Sequence, residues 1–201
     1  MRLQDIRTVW ICPDKSDKYL PRKVHMTELL ERIGTRDSCH WKTPGTGGPN
    51  RELIQATIDI LNQHMDDEPL LLLEDDVEWN GQTTITIPHA TDALYLGISK
   101  HGGSFYSGFD DGPSIVKPFR DDMVRVENML STHAILYCSK RFKEDVVKRL
   151  TPILGAERYF SDVVISRLHP YYNVYAYKRP FFYQGDTWGG HEEGTNFVLD
   201  I

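Results

Sequence analysis

Positive charge is in short supply in this chain of 201 residues. Its 23 lysines and arginines face 29 aspartates and glutamates, for a net charge of −6. No global basic field is present to gather nucleic acid or an anionic membrane, so neither is favoured as a partner. Cysteine is scarce too. Cys12, Cys39 and Cys138 are odd in number and far apart, which fits neither a disulfide framework nor a metal knuckle and leaves reduced thiols as the simplest reading. No run approaches the roughly 20 apolar residues of a membrane span. "MRLQDIRTVWICPDK" lacks the uninterrupted apolar core of a signal peptide. A cytoplasmic protein is therefore expected, in the host cytoplasm if the source is viral. "TPGTGGPN" lacks the Gly-Lys-Ser/Thr ending of a phosphate loop. No Gly-x-Ser-x-Gly elbow and no convincing Cys–His pair occurs. No repeat, low-complexity tract or linker divides the chain, so one domain over 1–201 is expected.

Strands and helices alternate in what remains. "RTVWIC" reads as a strand stopped by Pro13-Asp14. Tyr19 to Ile33 carries apolar residues at near-helical spacing, with Gly34 as the stop. Trp41 to Asn50 reads as a loop. Leu53, Ile54, Thr57, Ile58 and Leu61 then mark an amphipathic helix. "PLLLLEDDV", "TDALYLGIS", "THAILYCS" and "NVYAYKRPFFYQ" read as strands, the last with an edge-type proline. "KRFKEDVVKRLTPIL" and "AERYFSDVVISRLHP" read as helices, and "GGSFYSGFDDGPS" as irregular chain. "KPFRDDMVRVENM" reads as a solvated charged segment. The alternation predicts an α/β fold with a mostly parallel central sheet flanked by helices. The glycine-rich residues 185–201 read as a flexible loop or lid over a site.

The chemistry concentrates in "PLLLLEDDVEW". Four leucines run into Glu74, Asp75 and Asp76. Open α/β sheets bind ligands outside the carboxyl ends of their strands. Adjacent carboxylates repel, and a hard divalent cation is a common remedy. A solvated turn, with Asp75 or Asp76 capping the next element, is the plainer alternative. The buried run before the acids and Trp79 after them favour the metal.

These residues carry a resemblance. "LLLLEDDVEW" resembles the acidic strand end of GT-A (Rossmann-like) glycosyltransferases, in particular the family 25-like group of lipopolysaccharide and procollagen galactosyltransferases. "TVWICPDKSDKYLPRKVHMTELLERIG", "GGPNRELIQATIDIL", "DALYLG", "STHAILYCSKRF" and "SDVVISRLHPYYNVYAYKRPFFYQ" follow in the family's order, so the resemblance spans roughly Thr8 to Gln184. It implies a single GT-A domain that transfers a sugar from a nucleoside-diphosphate sugar, foremost a UDP-sugar, to a glycan or other hydroxyl acceptor. It implies a Mn²⁺ or Mg²⁺ ion on Asp76 and Glu74, with Asp75 assisting. It also implies that Pro13, Asp14 and Lys15 lie at the nucleoside, and that His191 completes the metal shell. Asp162 would be the base of an inverting displacement. Each has a plainer alternative: an exposed loop histidine for His191 and a helix cap for Asp162. Trp188 in the tail could stack on a sugar or base, or anchor the packing. His133 and Gly97 read as structural, although Gly97 could also admit a ligand. A metal-dependent nucleotidyltransferase, or a GT-A-shaped binding module without activity, are the competing functions.

Overall fold

The computed structural model describes residues 1–14, 17–44, 48–103, 110–154 and 160–201. Strand β1 (Arg7–Pro13) leads through helix α1 (Leu20–Ile33) to β2 (Ser38–Thr43). Helix α2 (Pro49–Gln63) returns to β3 (Leu70–Glu74), and a two-residue turn leads into β4 (Val77–Trp79). Then come β5 (Ala93–Tyr95), a hairpin of β6 (His101–Gly103) and β7 (Asp110–Pro113), β8 (Ile115–Pro118), β9 (Met123–Asn128) and β10 (Ala134–Tyr137). Helices α3 (Lys140–Leu150) and α4 (Ser161–Ser166) precede β11 (Val174–Tyr177) and β12 (Phe182–Gln184), and α5 (Glu192–Thr195) lies in the tail.

Eight strands form one sheet in the order β2-β1-β3-β10-β5-β11-β9-β8. Pairing is parallel from β2 through β1 to β3 and between β5 and β11, and antiparallel elsewhere. Six strands thus share one direction, and only β10 and β9 oppose it. This is the expected α/β fold with a mostly parallel central sheet between helices. A separate two-stranded ribbon joins β4 to β12.

The leucine run explains itself by the period of a strand. Successive side chains point to opposite faces. Leu70 and Leu72 enter one core with α2 and α3, while Leu71 and Leu73 enter the other with α1. Each leucine is 3% exposed or less, so each contributes roughly 1.5–3 kcal/mol of burial. Helix α1 ends where Gly34 adopts a left-handed φ of 76°, as its sequence predicts.

Several expectations need correction. Trp41 to Thr43 belong to strand β2 and Pro49 and Asn50 to helix α2, while residues 45–47 of the expected loop lie outside the described residues. The supposed solvated segment contains β9, whose Met123, Val124, Val126 and Asn128 are buried; its arginine and glutamate merely occupy alternate positions. "GGSFYSGFDDGPS" carries β6 and β7 around residues 104–109, which lie outside the described residues. "NVYAYKRPFFYQ" is two strands, broken around Pro180, and they join different sheets.

Candidate functional site

Strand β1 has β2 on one side and β3 on the other, so the chain's direction of travel across the sheet reverses at β1. Such a switch point leaves a crevice at the carboxyl ends of the strands. A cavity of about 240 Å³ lies there. Its walls are Ile11 and Pro13 from β1, Thr43 from β2, and Glu74, Asp75 and Asp76 at the end of β3. Tyr19 and Arg22 close it at the start of α1, and Gly48, Glu52 and Leu53 at the start of α2.

The acids are held in place by neighbouring backbone. The Glu74 N–H donates to the His133 carbonyl at 3.0 Å, just ahead of β10. Asp75 and Asp76 form the turn between β3 and β4. Pairing of β4 with β12 sets Gln184 opposite Val77. From there the Gln184 amide donates to Asp76 Oδ2 at 2.9 Å, and the Gly185 N–H to the Asp76 carbonyl at 2.8 Å. Asp75 Oδ1 accepts from Arg22 Nη1 at 2.7 Å.

Four carboxylates, those of Glu52, Glu74, Asp75 and Asp76, line the cavity with one guanidinium, that of Arg22. Glu74 Oε1, Asp75 Oδ2, Asp76 Oδ1 and Thr43 Oγ1 are enclosed and accept no hydrogen bond. They are four of the seven such atoms among the described residues, and all four residues line this one cavity. Native proteins rarely leave such groups unpaired, and an ion or water commonly explains those that are. Burial, together with the charge of Asp76, pushes the Glu74 carboxyl up to about 8, against a hydrogen bond from Thr132. Burial and the charge of Asp75 raise Asp76 as well, and Gln184 and Arg22 only partly offset them.

The oxygen-only acid set matches a hard cation rather than zinc or copper. Among the described residues no three His, Cys, Asp or Glu side chains gather closely enough to cage an ion alone. Mg²⁺ and Mn²⁺ need no such cage, because one or two carboxylates suffice when phosphate oxygens and water complete the shell. Glu74 and Asp76 fit that role.

The other expected site residues are scattered. Pro13 lines the cavity. Asp14 stands at the end of β1, paired with Lys23 and, at 3.3 Å, with Lys42; these two ammonium groups hold its carboxyl below the usual range. Lys15 lies outside the described residues. Asp162 occupies the first turn of α4, where its Oδ1 accepts from the Val163 N–H at 2.7 Å. It does not line the cavity, but its charge is among those that raise Glu74 and Tyr95. Trp188 sits in a helical turn of the tail, its indole stacked on His25 at 4.4 Å and donating to Glu78 Oε1 at 2.9 Å. His191 precedes α5 with an exposed side chain, and its carbonyl accepts from Gly194 and Thr195.

Behind the acids lies a packed polar layer. A Cβ added to Gly97 would fall 2.0 Å from His133 Nε2, so the close approach that Gly97 permits is to an imidazole. Burial lowers His133 to about 4 and keeps it neutral. His169, lowered to about 3 by burial, bonds the Tyr95 hydroxyl at 2.8 Å. Arg22, Thr43, Glu52 and Gln184 belong to the site or touch it, and sequence reasoning missed them. None stands in a motif. Only the basic cluster "PRK" beside the first loop hinted at Arg22.

No family model matches the chain, and no curated protein does. Solved structures do resemble it. A CTP:phosphocholine cytidylyltransferase from Streptococcus pneumoniae matches over 90% of this chain and 94% of its own, at 7% identity and a TM-score of 0.50. A nucleoside-diphosphate-sugar pyrophosphorylase from Vibrio cholerae matches over 84% and 70%, at 12% identity and a TM-score of 0.41. A Drosophila β-1,4-galactosyltransferase 7, in a complex with manganese, UDP-Gal and xylobiose, matches over 97% and 72%, at 14% identity and a TM-score of 0.44. At 7% identity, the likeness to the cytidylyltransferase is one of fold. No helix among the described residues is long and apolar enough to cross a membrane.

Proposed function

We propose that the chain is a metal-dependent glycosyltransferase that moves a sugar from a nucleoside-diphosphate donor, foremost a UDP-sugar, to a hydroxyl acceptor with inversion. The observation that carries this reading is the set of enclosed, unpartnered oxygens of Glu74, Asp75, Asp76 and Thr43 around one switch-point cavity. The ordered family resemblance from Thr8 to Gln184 points to the same chemistry. A pocket for a whole ligand typically measures about 300–1,000 Å³. At about 240 Å³ this cavity suits the diphosphate end of a donor, with the sugar outside it.

In this reading Asp76 and Glu74 hold Mn²⁺ or Mg²⁺, and His191 joins them from the tail. When bound, the ion supplies Lewis-acid neutralisation of the departing diphosphate. Pro13, Asp14 and Lys15 flank the nucleoside, and Asp75 orients Arg22. Asp162 takes the acceptor proton as the hydroxyl attacks the anomeric carbon. Residues 185–201 serve as the lid that excludes water, with Trp188 at its centre. The free thiols of Cys12, Cys39 and Cys138 fit a cytoplasmic setting.

The test is release of nucleoside diphosphate from a panel of nucleotide sugars with MnCl₂. Release should require the metal and fall at least about 100-fold in Asp76→Asn, the scale of losing one charge-stabilising group. Failure of every nucleoside diphosphate and nucleotide sugar to bind in the presence of Mn²⁺ would end this reading. Binding without turnover would leave a binding module. The fold shared with a cytidylyltransferase supports nucleotidyl transfer as the second reading. That reaction would instead release pyrophosphate from a nucleoside triphosphate and a phosphorylated co-substrate.

A further inference from the structure

The acidic wall of the cavity has a role in the reading above, but its basic residue does not. Arg22 is the only Lys or Arg among the described residues that line the cavity. Its guanidinium carries five N–H donors in a planar fork. Nη1 donates to Asp75 Oδ1 at 2.7 Å, and Nη2 donates to the Trp188 carbonyl. Two of the five donors are thereby used, and three remain for other acceptors.

The second of these contacts comes from far along the chain. Arg22 and His25 are three residues apart on α1, so they share a face, and both meet Trp188 there. Its indole stacks on His25 with rings 28° apart and bonds Glu78, two residues beyond Asp76. The Gly185 N–H bonds the Asp76 carbonyl at 2.8 Å. The turn that holds Arg22 from one side is therefore tied to the acid run on the other.

We propose that Arg22 is the anion-binding group of this cavity, taking a phosphate or diphosphate ester, and that Trp188 is a positioning residue that holds its guanidinium in a binding-ready orientation. Arginine suits this task because its fork meets two phosphate oxygens at once. A free arginine side chain loses rotamer freedom when it binds, and one already clamped by Asp75 and Trp188 loses less. The turn at Trp188 thereby contributes to affinity through Arg22. The inference takes its ligand class from the proposed function; its geometry is independent of the sugar chemistry.

The test is a double-mutant cycle in binding, read by calorimetry in MgCl₂. UDP and methylenediphosphonate, which has no base, are the probes. Arg22→Met should weaken both about 10–100-fold, and Arg22→Lys, which keeps the charge and loses the fork, about 10-fold. Trp188→Ala should weaken both about 5-fold in the parent but less than about 2-fold in Arg22→Met, since the position being held is then gone. If Trp188→Ala does not fold, Trp188→Phe, which keeps the stack on His25 and loses the bond to Glu78, gives the same cycle at smaller amplitude. Equal effects of the tail variant in both backgrounds overturn the proposal. So does unchanged binding in Arg22→Met, or failure of the parent to bind either probe. Coupled diphosphate binding without metal-dependent sugar transfer would refute the transferase reading and leave Arg22 its role. Sugar transfer with binding insensitive to Arg22 would do the reverse.

Discussion

Glu74→Gln offers a direct measure of how much the acid cluster costs the apo protein. The Glu74 carboxyl ionises at about 8 in the fold, against an ordinary 4.5, because it is buried beside Asp76. At about 1.4 kcal/mol per tenfold change in acidity, the charged form is penalised by at most about 5 kcal/mol. Glu74 as a whole is only half-buried, and solvent screening leaves roughly half of that, about 2–3 kcal/mol. The folded state holds its proton more tightly than the unfolded chain, so stability is intact below about pH 4.5 and is lost as pH rises through 8. Urea unfolding in EDTA should then show Glu74→Gln equal to the parent at pH 4.5 and more stable by about 2–3 kcal/mol at pH 8.5, or roughly 4–12 °C in Tm for a chain of this size. Saturating MgCl₂ should stabilise the parent, by about 2.7 kcal/mol at 100 times Kd, and barely affect the variant. A variant that is neutral or destabilised at pH 8.5 without metal would refute the account of Glu74 as an unpaired, repelled charge.

Three further outcomes follow from the packing and the proposed chemistry. Gly97→Ala should cost about 1–3 kcal/mol by driving a methyl group into the His133 ring, and His133→Ala added to it should recover part of that loss in thermal unfolding. Lys143 is fully buried, and its ammonium donates to the carbonyls of His64, Asp66 and Glu68 at 2.8–2.9 Å and to the Asp66 carboxylate at 3.2 Å. Lys143→Met should therefore lower urea-unfolding stability by about 3–5 kcal/mol, because it orphans these acceptors. Asp162→Asn should reduce kcat for sugar transfer about 10²–10⁴-fold with KM for the donor little changed; an unchanged kcat would overturn its role as the base and leave it a first-turn acid of α4.

Local pattern made some elements readable and left others hidden. Helices α1 and α2 follow apolar spacing within their own sequence, and Gly34 marks an end that only a left-handed residue makes easily. Strand β3 was evident from four leucines because both faces of a central strand are buried. Strand β2 was hidden because it is an edge strand whose residues, apart from Thr43, are exposed or half-buried. Only its register on β1 makes it a strand. In β9, alternate charges outweighed alternate valines in the reading. The direction of β10, antiparallel between two strands that run the other way, has no local signature at all. The site divides similarly. Glu74, Asp75 and Asp76 are contiguous and could be read together. Arg22, Thr43 and Glu52 reach the same cavity from three other elements, so only the switch-point topology unites them. An aromatic in a glycine-rich tail marks Trp188 as a residue to stack on a sugar or base or to anchor the packing, but its docking on His25 and Glu78 depends on where α1 and β4 meet.

The place of β10 between β3 and β5 bears on how the chain emerges from a ribosome. The β1 to β3 half can pair once Glu74 has emerged from the ribosome, but one edge of β3 then waits for a partner about 60 residues later. At roughly 5–20 residues per second that wait lasts several seconds. Through that interval the nascent chain shows an open edge of four leucines, the kind of surface that invites pairing with a stranger. Acids flank that edge on both sides, Asp66, Asp67 and Glu68 before the leucines and Glu74, Asp75 and Asp76 after them, so the run that defines the cavity in the finished protein also helps guard the strand before its neighbour arrives.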